Sequence, residues 1–487
     1  MNPIKKLASQ TAVYGVSSIL GRFLNYLLVP LYTRFFLPEE YGVVSEFYAY
    51  TGFFFVLLTF GMETGFFRFT KDERFTKVYS SILQFLFIAN ILFVGLVFVF
   101  SDTFAKLLHY EGFEHYFIWF AIILACDSIG SLPFAKLRQE ERAKRFAFVK
   151  LTEIGVNIGL NIFFMYLLKT AQRHPVAYFD PSIGVGYVFV ANLISSVVKL
   201  LLLSDKLVPV VEGFEYHFFK VVVRYSAPII IIGFAGIVNE MLDRMLLKYL
   251  LPGTIHQNLQ ELGIYSACYK ISIVMSLFIQ AFRFAAEPFF FAQSKSENAR
   301  QLYADVMNWF TLFCAGIFIT VEVFLDLFGL FVGPAFRAGL SVVPILLLAN
   351  MFLGMYVNLS IWYKLTDKTF LGALVSIAGA IVTIILLYWW IPLFGYVGAA
   401  WATLLCYAFM AIASFLLGKK YYPVPYSLSQ LAYYLGLCCL VWVATLVIPF
   451  GNGGVALIGK MLLLLSSLVL LILPERDKLL QLTKKIK

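Results

Sequence analysis

Charged side chains standing inside long apolar runs are where this sequence could do chemistry. A charge in hydrocarbon costs roughly 2.5–3.5 kcal/mol on insertion scales, so one that is retained there usually faces a bundle interior or a water-filled cavity. Arg22 lines up with Thr11, Ser18 and Asn25 at spacings of seven, four and three, which draws one polar stripe along a helix. It lies about 16 Å in from Thr11 at helical rise, near the middle of a span. A guanidinium stays charged and grips phosphate oxygens through two parallel hydrogen bonds, so Arg22 and Asn25 are candidates for holding a pyrophosphate. The competing reading neutralises Arg22 with Glu63 or Asp127 as a structural pair.

A second stripe runs through Tyr269, Ser276, Gln280, Arg283 and Glu287 at spacings of seven, four, three and four. Arg283 and Arg68 stand near the same expected face of the membrane and could receive an anionic headgroup there. For Arg68 the rival role is anchoring a helix end at the interface, and for Arg283 it is an ion pair with Glu287. Arg244 follows Asp243 close to Asn239 and Glu240, either as a local ion pair or as a ligand handing substrate outward, and Lys270 is read the same way. These cations are spread over inner, middle and outer depths, as a path for an anion requires. Asp127, Glu153 and Glu63 are the carboxylates that could couple transport to an ion. Burial shifts a carboxylate toward proton uptake, so H+ or Na+ binding is the functional reading and helix-to-helix hydrogen bonding the plainer one.

The elements that must position these groups are membrane helices. Of the 487 residues, 61% are hydrophobic and 14% charged, with a mean hydropathy of +0.84. A soluble chain carries roughly 25% charged residues. The apolar blocks reach the length of about twenty residues needed to cross a hydrocarbon core of about 30 Å, and barrel strands would alternate instead. The expected fold is all-α and integral to the membrane, with about fourteen spans at 11–34, 43–67, 78–100, 116–135, 146–168, 183–203, 225–247, 263–290, 304–330, 339–361, 370–390, 396–418, 427–449 and 453–473. Lysine and arginine divide 27 to 6 between the two sides, with Lys248 counted in an outer loop, which puts both termini in the cytoplasm. The formal charge of +10 thus marks topology and gives no reason to expect nucleic acid. The six cysteines lie in apolar spans without metal-ligand spacing and read as small core residues.

Internal similarity points to duplication. At an offset of 214, Asn25 matches Asn239 and Leu37-Pro38 recurs as Leu251-Pro252; at 221, Gly42 to Tyr48 aligns with Gly263 to Tyr269; at 212, Gly186 matches Gly398. The expected organisation is an N-terminal bundle of six helices (1–210) and a pseudo-symmetric C-terminal bundle of six (211–420). Two further helices and a basic cytoplasmic tail follow (421–487).

The stretch from Leu7-Ala8-Ser9-Gln10-Thr11 through Gly21-Arg22 to Pro38-Glu39-Glu40-Tyr41-Gly42 resembles the polysaccharide-transporter family. These are the O-antigen-type flippases of the superfamily that includes multidrug-and-toxin extruders and lipid II flippases. Asp243-Arg244, Gly263-Ile264-Tyr265-Ser266, Pro288 and Gly395-Tyr396-Val397-Gly398 through Thr403 are similar to its second-half pattern. The resemblance implies a flippase of the bacterial cytoplasmic membrane, not an enzyme. It would carry an undecaprenyl-pyrophosphate-linked oligosaccharide from the inner to the outer leaflet by alternating access, for a surface polysaccharide such as O-antigen or lipopolysaccharide. Its partners would be membrane lipids and the polymerase and glycosyltransferases of the pathway.

Other functions fit less well. No Gly-x-x-x-x-Gly-Lys-Ser/Thr loop is present for ATP hydrolysis, and no His-Glu-x-x-His pattern for metal chemistry, so no cofactor is expected beyond a coupling ion gradient. A membrane glycan polymerase would carry a large outer loop with catalytic residues. A drug extruder of the same fold would place carboxylates, rather than Arg22, where a cationic substrate binds. A lipid II flippase differs from the favoured reading only in its glycan.

Overall fold

In the computed structural model, residues 15, 19–70, 76–171, 179–211, 213–294, 296–448 and 453–475 are described. Thr11, Ser18 and most of the first two turns of the first expected span, together with the basic tail from Arg476 to Lys487, lie outside them.

The chain is nearly all helical, and no strand occurs among the described residues. Residues 19–26 are helical, followed by α1 (Val29–Phe35), α2 (Pro38–Thr59), α3 (Met62–Phe69), α4 (Val78–Val99), α5 (Ser101–Leu107), α6 (Glu114–Gln139), α7 (Ala143–Ala171), α8 (Gly186–Leu202) and α9 (Ser204–Leu207). Then come α10 (Tyr216–Leu250), α11 (Ile255–Gln293), α12 (Ala299–Val323), α13 (Leu325–Phe328), α14 (Val343–Leu359), α15 (Ile361–Leu365), α16 (Thr369–Tyr421), α17 (Leu428–Val447) and α18 (Gly454–Ile472).

Local chemistry sets the boundaries. Pro38 occupies the first turn of α2, where a missing N–H costs nothing, and the Glu40 carboxylate accepts the Leu37 N–H at 2.8 Å. α2 stops where Phe60 and Gly61 turn left-handed (φ 51° and 63°), and α3 starts immediately afterwards. α16 is long enough for two crossings because Gly395, at φ 62° and ψ −147°, breaks the helix just beyond Pro392. Eleven helices among the described residues are long and apolar enough to cross a membrane, or twelve if the pair Gly186–Leu202 and Ser204–Val211, bent by 72°, forms one span. The count falls below the expected fourteen for two physical reasons: α16 continues across the Gly395 break, and the described part of the first expected span is interrupted by a turn at Leu27-Leu28, which leaves residues 19–26 and Val29–Phe35 as two short helices.

The chain divides into two compact units, Met1–Gly263 and Ile264–Lys487, with the division inside α11. In the first, α6 packs on α4 and α8, α7 on α8, and α10 on α2 and α3. Its core includes Met62, Phe66, Leu83, Leu86, Phe218 and Val222, all fully or almost fully buried. In the same unit Phe47 sits among Tyr110, Tyr116, Phe117, Phe120 and Phe189, with its ring centroid 5.1–6.2 Å from theirs. In the second unit α14 packs along α16, and α12 along α14, α17 and α18. Many outward-facing side chains are large and apolar, Val455 at 84% exposure and Leu446 at 73% among them, as contact with lipid requires.

Two glycines matched by the internal repeat meet in the first unit. A Cβ on Gly42 would lie 2.1 Å from the carbonyl oxygen of Leu259, and one on Gly263 would lie 1.8 Å from that of Pro38. The first turn of α2 and the early turns of α11 therefore touch backbone to backbone, which a side chain at either position would prevent.

Candidate functional site

Arg22 is exposed, and among the described residues it makes no ion pair or hydrogen bond. The carboxylates that could have neutralised it are engaged elsewhere: Glu63 binds Arg138 of α6, and Asp127 binds Lys199 of α8. Three residues on, the Asn25 amide oxygen accepts from Asn157 Nδ2 at 3.5 Å. Asn157 in turn accepts from Asn161 at 2.8 and 3.0 Å, and Asn161 accepts the Tyr32 hydroxyl at 2.8 Å. A ladder of amides on α7 thus holds the helix bearing Arg22 against the bundle while leaving the guanidinium uncommitted.

The three candidate coupling carboxylates are all paired. Lys199, its side chain only 4% exposed, reaches Asp127 of α6 and Glu153 Oε1 of α7, the latter at 2.9 Å. Lys150 closes on Glu153 Oε2 at 2.8 Å, and the Ser196 hydroxyl donates to Asp127 at 2.8 Å. Two cations face two carboxylates, which is how buried charges are tolerated. Among the described residues no group of three His, Cys, Asp or Glu is placed to hold a metal ion. The six cysteines are free thiols, five of them buried and Cys439 exposed.

Arg68 is exposed on α3 with its guanidinium 6.0 Å from the Phe69 ring. Arg244 is tied locally, its side chain donating to the Glu240 carbonyl at 3.4 Å and its own N–H to Asp243 at 2.8 Å. In the second unit Lys270 is half-buried on α11 and interacts there, while Arg283 is 61% exposed, with Nε 3.7 Å from Glu287. Glu287 is bound more closely by Lys364 of α15. The α11 stripe faces α14, where the Ser276 hydroxyl donates to Asn350 at 2.9 Å.

One cluster was not legible in the sequence. Glu46 of α2 and Lys248 of α10, both 0% exposed, form an ion pair at 3.0 Å. Glu46 also accepts the hydroxyls of Tyr110, Tyr50 and Tyr249 at 2.5, 2.9 and 3.2 Å. Lys248 donates to the Leu108 carbonyl at 2.6 Å and lies 3.7 Å from the Tyr110 ring centre. Lys248, placed by the sequence in an outer loop, is in fact the last buried charge of α10. Lys199 is obscured in the same way, because it stands within four residues of an expected span end. The available signal was an ionisable residue within a run such as Leu193-Ile194-Ser195-Ser196-Val197-Val198-Lys199-Leu200-Leu201-Leu202.

The architecture and the sequence both have known relatives. A solved structure titled lipid II flippase MurJ, in an inward closed conformation, superposes with a TM-score of 0.69, at 13% identity over 96% of this chain and 100% of that one. An inward-facing multidrug resistance MATE family transporter of the MOP superfamily gives 0.64 at 14% identity, over 82% and 93%. The MATE multidrug transporter DinF-BH gives 0.59 at 16% identity, over 87% and 97%. At these identities the likeness establishes the fold. Comparison with curated protein sequences finds no match. The sequence profile of the polysaccharide biosynthesis protein family matches residues 7–294, which include the Arg22 helix, the Lys199 network and the Glu46–Lys248 pair. With multiple apolar spans and a fold shared with flippases and MATE transporters, the chain is a multi-pass membrane protein belonging to the polysaccharide biosynthesis protein family.

Proposed function

We propose that the protein is a flippase of the bacterial cytoplasmic membrane, moving an undecaprenyl-pyrophosphate-linked oligosaccharide from the inner to the outer leaflet for surface polysaccharide assembly, with both termini in the cytoplasm. The observation that carries this reading is Arg22: a permanent cation, exposed and without a counter-charge among the described residues, although Glu63 and Asp127 belong to the same unit. A site with an unmatched guanidinium attracts a phosphorylated ligand. Asn25 would orient the headgroup beside it; Arg68 and Arg244 of the same unit, and Lys270 and Arg283 of the second, are further candidate contacts for the anion.

Transport is driven by an H+ or Na+ gradient, with Asp127 and Glu153 as the coupling groups. An arriving cation would displace Lys199 from one of them and free a rearrangement of α6, α7 and α8. A drug extruder is the weaker reading, because the charge left uncommitted on the first helix is the Arg22 guanidinium, which repels a cationic drug. The test is export of the lipid-linked glycan in cells carrying Arg22→Ala. Export is lost at unchanged protein level if Arg22 binds the substrate, and full export refutes the site.

A further inference from the structure

At the end of α11 nearest Gln293, the second unit contains a cleft lined by Arg283 and Glu287 of α11, Asn358 of α14, Ser360 at the α14–α15 junction and Lys364 of α15. It is a shallow cleft whose sheltered volume is only about 20 Å³, within about 300 Å³ of space that is open to the outside. Asn358 is 2% exposed, yet neither its amide oxygen nor its amide nitrogen has a hydrogen-bond partner. An unsatisfied buried amide costs about 1–3 kcal/mol, so its retention at a cleft wall asks for a ligand. The charges around it do not balance. Glu287 is shared between Lys364 and, at 3.7 Å, Arg283, leaving one cation in excess. Arg283 approaches Glu287 with Nε at 3.7 Å, beyond hydrogen-bond distance, and its guanidinium makes no hydrogen bond among the described residues. The helix break at Ser360 turns α15 so that Lys364 comes to the same carboxylate as Arg283.

An uncommitted guanidinium fork, a neighbouring ammonium and a buried amide donor around one small cleft are the groups that recognise a phosphate. We propose that this cleft is a phosphate-binding site, formed by Arg283, Lys364 and Asn358, that takes the phosphate of a lipid headgroup or of a soluble pyrophosphate. Binding lets the anion take over Lys364 from Glu287 and gives Asn358 the acceptor it lacks. The topology expected from the basic residues puts this end of α11 at the inner membrane surface. The site's place in transport, as the first contact for a headgroup on that side, rests on the flippase reading; the binding itself does not.

The test uses the full-length protein in phosphatidylcholine nanodiscs, titrated with inorganic pyrophosphate by calorimetry in an Arg22→Ala background, so that binding at Arg22 does not contribute. Asn358→Leu and Lys364→Met are each expected to weaken binding at least tenfold. Asn358→Leu should also leave the melting temperature unchanged or higher, because it removes an unpaired amide; a merely structural Asn358 would lower it. Repeating the titration with phosphatidic acid in the disc separates the sources: competition identifies a headgroup phosphate and its absence a soluble one, and either supports the site. No pyrophosphate binding in either disc, or unchanged affinity in Asn358→Leu, overturns the proposal. If the wild-type protein fails to translocate a lipid-linked glycan while Asn358→Leu still loses pyrophosphate affinity, the flippase reading falls and the cleft stands.

Discussion

Glu46→Gln and Lys248→Met probe the buried pair that joins α2 to α10, and the two should not be equally harmful. At 3.0 Å the gross attraction is roughly 5 kcal/mol for an effective dielectric constant of about 20. Most of that offsets the desolvation of two groups that are 0% exposed, so the pair itself adds little, whereas removing one member strands the other. Lys248→Met leaves Glu46 with the hydroxyls of Tyr50, Tyr110 and Tyr249, and the expected loss is about 3 kcal/mol, the low end for a broken buried pair. Glu46→Gln leaves an ammonium with the Leu108 carbonyl and the Tyr110 ring, and the expected loss is about 5 kcal/mol. The double variant, with no stranded charge, should lie within about 1.5 kcal/mol of wild type, in the range of tolerated volume-conserving changes. Unfolding in mixed detergent micelles measures all four proteins. Losses below about 1 kcal/mol for both single variants, or additive losses in the double, would refute the reasoning.

Other consequences are equally direct. Gly263→Ala, whose Cβ would lie 1.8 Å from the Pro38 carbonyl oxygen, should lower the melting temperature sharply; Gly436→Ala, with nothing within 4 Å, should leave it unchanged or slightly raised. Lys199→Met confronts Asp127 with Glu153 and should reduce folded yield in detergent extracts. Adding Asp127→Asn should restore most of it, because Lys150 still neutralises Glu153. Arg138→Met leaves Glu63 partly in contact with solvent and should cost less, about 1 kcal/mol or below, whereas Arg22→Met, which breaks no pair among the described residues, should melt like wild type.

The helices were readable because lipid demands long apolar runs, and the α11 stripe because a 3.6-residue period places Ser276, Gln280, Arg283 and Glu287 on one face. Gly395 was readable only as a gap between two runs; the sequence does not reveal that the chain resumes helical geometry at once on both sides of a single left-handed residue. The charge partners were not readable. Asp127 meets a lysine 72 residues away and Glu46 one 202 residues away, and nothing local selects those partners. Asp127 and Glu153 therefore read either as ion sites or, more plainly, as helix-to-helix hydrogen-bonding groups, and Lys199 and Lys248 as flanking charges. Arg22 behaves oppositely. Its stripe suggested a functional face, and the pairing of Glu63 and Asp127 elsewhere leaves that guanidinium available.

The most direct measurement of the central claim is translocation by the purified protein in liposomes. Undecaprenyl-pyrophosphate-linked oligosaccharide is placed in one leaflet, and its arrival in the other is detected by a lectin added outside. The account predicts translocation by wild type, little or none by Arg22→Ala and partial recovery by Arg22→Lys. Equal translocation by wild type and Arg22→Ala, or none by wild-type liposomes that do transport a cationic dye, would contradict it.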